Sequence, residues 1–163
     1  MMPPSHATNP ATNPATATAT DTNPATNPNS APAAAAPPVT PFERLGGEAA
    51  VRALVDRFYD LMDLEPAAAG IRGLHPGRLD GSRDKLFWFL CGWLGGPNHY
   101  IERFGHPRLR ARHLPFAIGI AERDQWLGCM VQAMDEQGVA PGLARQLADS
   151  FYGTADWMRN QGG

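Results

Sequence analysis

The first 41 residues lack almost everything from which a folded core is made. They hold no lysine, no arginine and no aromatic residue, a single acid (Asp21), and ten of the sixteen prolines. Variations on "TNPAT" fill the space, with too little apolar side chain to offset the entropy of ordering. Residues 1–39 are therefore expected to form a disordered low-complexity tail, and residues 40–161 the one domain. Cysteine is scarce too. Cys91 and Cys129 form no CxxC pair, which excludes a disulfide framework, and both are read as reduced core thiols of a cytoplasmic protein. No charged stretch followed by an apolar one opens the chain, so no secretory signal is expected. No apolar run approaches the roughly 20 residues of a membrane span. Past residue 41 fourteen basic side chains face fifteen acidic ones, so no basic field draws nucleic acid or anionic lipid.

What is present reads as helix. Thr40, Pro41 and Glu43 have the form of a capping box with proline in the first helical position, and Gly46 and Gly47 end that helix after about a turn. A second helix follows, with Val51, Leu54, Val55, Phe58, Tyr59 and Met62 on one stripe. Pro66 restarts the chain for a short helix, and "GLHPGRLDG" reads as a loop. "SRDKLFWFLCGWL" is the next helix, its inward face given by Leu86, Phe89, Leu90 and Trp93, and "GGP" at 95–97 ends it. After a further loop, Pro107 opens a short helix that must finish near His113, because Pro115 takes Leu114 out of helical geometry. A long helix runs from Ile120 to Gln137 with Trp126, Leu127, Met130, Val131 and Met134 on its stripe. Pro141 starts the last, with Leu143, Leu147, Phe151, Ala155 and Met158. No segment alternates with period two, so the fold class is all-α.

The candidate chemistry is sparse. His75, His99, His106 and His113 show no i, i+4 pair and no HExxH. A protein-built zinc site needs three or four side chains, whereas a haem needs one strong protein ligand, because the porphyrin supplies four nitrogens. His113 stands at the end of a short helix, where the Leu109 carbonyl has lost its helical donor. An imidazole there gives its Nδ1 proton to that carbonyl and presents Nε2 to a metal. On position alone the commoner reading is a histidinium stabilised by the helix dipole. His106, at the start of that helix, disfavours a cation and reads as a neutral cap. Tyr59 on the buried stripe needs a partner for its hydroxyl, either a backbone carbonyl or a ligand in a cavity. Trp126 is either core filler or an indole N–H donor.

Together these residues resemble the second group of the truncated globins. The resemblance covers residues 40–160 and is strongest over "GGPNHYIERFGHPRLRARHLPFAIGIAERDQWLGCM"; "RFY" on the second helix and the early "LGG" match as well. It implies a two-on-two helical sandwich around a haem b. On this resemblance His113 matches the proximal iron ligand, Tyr59 the tyrosine that bonds a distal ligand, and Trp126 the tryptophan that marks the group. His75 falls where members carry a distal tyrosine or histidine. Ser82 and Leu86 fall on the distal face of the haem-covering helix, Phe89 and Phe116 on the haem walls, and Lys85 and Arg112 where propionates are met.

The resemblance implies a protein that binds O2, CO or NO reversibly at a five-coordinate iron. Bound O2 carries partial negative charge, and donors fixed in an apolar pocket stabilise it better than water does. A pocket with Tyr59, Trp126 and His75 is expected to release O2 slowly, which points to sensing, scavenging or redox chemistry over plain delivery. The alternative on the same scaffold is an NO dioxygenase or peroxidase-like enzyme served by an external reductase, since the chain has no flavin or nicotinamide domain. A cofactor-free helical interaction module has only generic amphipathicity behind it. A monomer or homodimer is expected, with no nucleic-acid or membrane partner.

Overall fold

The computed structural model describes residues 36–162. The disorder expected of residues 1–39 thus lies outside the described residues save at 36–39, which belong to no helix or strand. Eight helices and no strand occur among the described residues: α1 Pro41–Leu45, α2 Glu48–Leu64, α3 Ala69–Gly73, α4 Asp80–Trp93, α5 His99–Phe104, α6 Leu109–His113, α7 Ile120–Glu136 and α8 Pro141–Met158. A single 3₁₀ turn, Pro66–Ala68, precedes α3.

The chain enters α1 through the expected capping box. The Thr40 hydroxyl accepts from the Glu43 N–H at 3.2 Å, and the Glu43 carboxylate accepts from the Thr40 N–H at 3.0 Å. Phe42 then lays its ring on Gly96 just past α4, and its N–H bonds the Leu94 carbonyl at 3.0 Å. A Cβ at position 96 would stand 2.6 Å from that ring, so only glycine lets α1 close on the end of α4.

Two helix pairs carry the fold. α2 packs on α4, α7 packs on α8, and the pairs meet where α2 lies against α7. The stripe read on α2 is the centre of the core: Val51, Leu54, Val55, Phe58, Tyr59, Leu61 and Met62 are all buried. Each such side chain contributes about 1.5–3 kcal/mol on leaving water. Cys129, Met130, Ala133 and Met134 come from α7, and Leu143, Leu147 and Phe151 from α8. Both cysteines are buried free thiols, and burial raises the Cys91 pKa to about 11. This is the two-on-two arrangement that the resemblance implied.

Three local readings need correction. α4 starts at Asp80 and not at Ser82, because the Arg83 N–H reaches the Leu79 carbonyl at 2.8 Å and Asp80 suits the first helical turn. Its buried face is Leu90, Cys91 and the capping Leu94, while Leu86, Phe87, Phe89 and Trp93 are only partly covered. The second difference is α5, a helix of six residues where a loop was expected, too short to print a periodic pattern. The third is that α6 begins at Leu109 and not at Pro107, since Arg108 sits at φ 46°, outside the right-handed helical region. No helix among the described residues is long and apolar enough to cross a membrane.

Candidate functional site

His113 closes α6 and makes the bond its position calls for: Nδ1 lies 2.6 Å from the Leu109 carbonyl oxygen. A carbonyl only accepts, so the proton is on Nδ1 and, in the neutral ring, Nε2 keeps its lone pair. His106 works at the other end of α6 as an acceptor, its Nδ1 taking the Arg108 N–H at 3.1 Å. That bond supports the left-handed Arg108 backbone, a conformation that costs a residue with a Cβ about 1–2 kcal/mol.

Tyr59 is buried on α2, with its ring against Phe58 (4.8 Å between centroids) and edge-on to His75 (5.7 Å). Burial lifts the phenol well above its ordinary pKa, and the charge of Arg83 and the Ser82 side chain offset only part of this. The hydroxyl therefore stays protonated and able to donate. Arg83 strings α4 to α2, bonding the Asp56 carbonyl and the Asp60 carboxylate, both at 2.7 Å. This strap places Ser82 beside the Tyr59 hydroxyl.

His75 follows α3 and repeats the geometry of His113. Its Nδ1 bonds the Ile71 carbonyl at 2.9 Å, four residues back. Burial lowers its pKa, the positive charge of Arg72 and the nearby His113 add to this, and the Ile71 carbonyl opposes it. A neutral His75 thus carries an accepting Nε2, and donates through that nitrogen only when protonated.

Two residues that the sequence did not single out fix the His75 loop. Gln125 on α7 accepts the Ile71 N–H at 2.8 Å, and a Cβ on neighbouring Gly70 would stand 2.7 Å from that same side-chain oxygen. Arg72 holds the turn from the other side, donating to the carbonyls of Pro76 and Gly77 at 2.9 Å each and pairing with Asp63 at 2.8 Å. A single glutamine within an apolar helix pattern gives no sequence signal for such a role.

Trp126, next to Gln125, packs against Phe58 at 5.0 Å and Phe151 at 5.5 Å, and Phe151 stacks on Trp93 at 4.8 Å. Tyr59 and Trp126 are thereby joined through Phe58. On the α4 side, Leu86 and Phe89 are half-buried and Lys85 is exposed. Phe89, Trp88, Trp93, Tyr100, Ile101 and Pro107 are among the residues lining a largely apolar cavity of about 160 Å³ between α4 and the α5–α6 segment. Arg112 is exposed, donating to the Pro107 carbonyl at 2.8 Å with its guanidinium 5.8 Å from the Tyr100 ring centre. Phe116 is 42% exposed and Leu114 58%. The structure brings together Tyr59, Ser82, His75 and, through Phe58, Trp126. Lys85 and Arg112 stand apart on the surface.

Among the described residues no three His, Cys, Asp or Glu side chains converge in a way that could hold a metal ion. Comparison with known proteins identifies the family. The bacterial-like globin pattern matches residues 40–160. The chain belongs to the bacterial-like globins. Among curated relatives, the group 2 truncated hemoglobin YjbI of Bacillus subtilis is 40% identical over 121 residues, covering 74% of this chain and 89% of that protein. Among solved structures, the group II 2-on-2 hemoglobin of the plant pathogen Agrobacterium tumefaciens is 46% identical with a TM-score of 0.75, over 78% of this chain and 98% of that one. The truncated oxygen-avid haemoglobin of Bacillus subtilis is 38% identical with a TM-score of 0.69, over 75% of this chain and all of that one, 100%. This globin is of the group II two-on-two kind.

Globin membership implies a haem, and the residues present fit one. His113 points its Nδ1 at a backbone carbonyl and so leaves Nε2 to act as a ligand, which is what a haem asks of the protein. Leu86, Phe89 and Trp126 are apolar side chains only partly covered by protein, a surface suited to a flat apolar ring.

Proposed function

We propose that this globin holds haem b through His113 and so binds O2, CO or NO reversibly, within the reducing cytoplasm where Cys91 and Cys129 stay thiols. Haem, when bound, supplies an iron with one coordination position open to a diatomic gas. The protein's residues do the rest. The Leu109 carbonyl fixes the tautomer of His113 and makes its Nε2 the better electron donor. Tyr59, kept protonated by burial, donates toward negative charge that builds on the guest. The Trp126 indole is a second donor, and its N–H makes no hydrogen bond to the described residues. Neutral His75 contributes an acceptor that orients these donors, and becomes a donor on protonation.

Leu86, Phe89 and Phe116 serve as apolar walls and Ser82 steers the Tyr59 hydroxyl. Lys85 and Arg112 meet the propionates at the rim. The observation that carries this reading is the 2.6 Å bond from His113 to Leu109. Likeness to an oxygen-avid relative supports tight retention of O2.

Absorption spectra of the ferrous protein with and without CO test cofactor and open position together. A Soret band that shifts with CO is expected, and His113→Ala should abolish haem retention or convert the spectrum to that of a weakly held haem. A variant with unchanged haem content and spectra removes His113 from the role.

A further inference from the structure

α6 is weakly anchored by apolar packing. It has five residues, none of them buried, and a helix this short does not persist on its own in water. Its entry is strained at Arg108. Something other than hydrophobic burial must hold it, and polar bonds from the end of α8 do so. Arg110 donates to the Trp157 carbonyl and, at 3.3 Å, to the Arg159 carbonyl. Asn160 then closes the other end. Its Nδ2 donates to the carbonyls of His113 (3.2 Å) and Phe116 (2.7 Å), while its Oδ1 accepts the Ile118 N–H at 3.0 Å. The Asn160 N–H adds a bond to the Ile118 carbonyl at 2.9 Å.

This uses the amide in one orientation only, because a flipped Asn160 would set its NH₂ against the Ile118 N–H and its oxygen against two carbonyls. Aspartate could keep the Ile118 bond but would place an oxygen in front of both carbonyls. We propose that Asn160 is the positioning residue for His113: a C-terminal latch that fixes the backbone of the imidazole and of the segment 113–118 following it. The latch is a feature of the polypeptide, and its effect on iron rests on the reading of His113 as the iron ligand.

Asn160→Ala and Asn160→Asp in the full chain separate the two claims. Amide hydrogen exchange without haem reads the latch directly. Phe116 and Ile118 should lose protection in Asn160→Ala, and in Asn160→Asp only Ile118 should keep it, while amides of α2 and α7 stay protected in both. With haem, the rate of haem transfer to an apoglobin acceptor should rise about tenfold in either variant, the equivalent of ~1.4 kcal/mol. The iron–histidine stretching band of the ferrous protein should broaden or shift, which mere loss of stability would not cause. The proposal is overturned if exchange at 114–118 and haem loss stay within twofold of wild type, if protection is lost throughout α2 and α7 as well, or if the band is unmoved. Should the wild type take up no haem, the function proposed above fails, and the exchange pattern still decides whether the latch exists.

Discussion

The α2–α7–α8 side of the molecule and the α5–α6 segment are held by different physics. The first is a close-packed interior in which Phe58 and Val51 are 0% exposed and α2 alone buries seven side chains. The second buries one residue in α5, Tyr100, and none in α6, and leaves Ile101, Phe104, Leu114 and Phe116 open to solvent. Beyond the packing of Tyr100 on Phe89 and of Phe104 on Trp88, it is secured by arginine–carbonyl and arginine–aromatic contacts, such as Arg103 at 4.4 Å over Trp88, together with the bonds of Asn160. Apolar burial is indifferent to direction, whereas hydrogen bonds fix orientation. The segment that carries His113 is thus aimed more than it is packed, and its apolar side chains remain available to a flat ligand.

Substitutions on the two sides should separate cleanly. The largest effect belongs to Phe58→Ala, which empties a fully buried site shared by Tyr59 and Trp126. We expect about 3–5 kcal/mol of destabilisation by denaturant titration; a loss under ~1 kcal/mol would mean that the interior is not the source of stability. Next comes Gly96→Ala, which drives a methyl group into the Phe42 ring and should cost about 1–3 kcal/mol. Much of that cost should be absent when Phe42 is already alanine, and a fully additive double mutant would contradict the close contact. Arg110→Ala should change global stability by no more than about 0.5 kcal/mol while hastening exchange of the Leu114 amide, which bonds the Arg110 carbonyl within α6. Equal slowing or quickening across the whole chain would show that α6 is not separately held.

The smallest effect concerns acid. Hydrogen bonds from Arg123 and Arg159 hold the Asp156 carboxyl below the usual carboxylate range, with their charges adding to this. Its folded pKa lies below its unfolded one, so its contribution is complete above the ordinary carboxylate range and is lost as the pH falls through the depressed value. Protection of the Asn160 amide should therefore decline in strong acid before that of α2, and Asp156→Asn should remove this dependence. Acid profiles that coincide for wild type and variant would dissociate Asp156 from the α8 exit.

The features legible in the sequence were those that repeat or cap. The α2 stripe, the Thr40–Glu43 box and the placement of His113 over the Leu109 carbonyl all follow from spacing along one element. The features that were not legible depend on two distant elements meeting. Nothing in "MRN" says that Asn160 will find the carbonyls of His113 and Phe116, and nothing in "ERDQW" says that Gln125 will accept from Ile71. On α4 the apolar run was visible but its orientation was not, because phenylalanine, tryptophan and leucine stand on every side of it. Packing on α2 selects Leu90 and Cys91 and leaves Phe89 and Leu86 at the edge. The tautomer of His75 was equally hidden, since it is set by a backbone oxygen whose position only the α3 turn determines.

The contact of Gln125 with the backbone at Gly70 and Ile71 has a bearing on how this chain tolerates drift. A side chain gained at position 70 would displace the glutamine oxygen from the Ile71 amide, and any shorter residue at 125 abandons that amide as well. Neither site can vary alone without loosening the turn that bears His75. The two positions should therefore be inherited as a pair, linking by descent a loop and a helix that the primary structure keeps far apart.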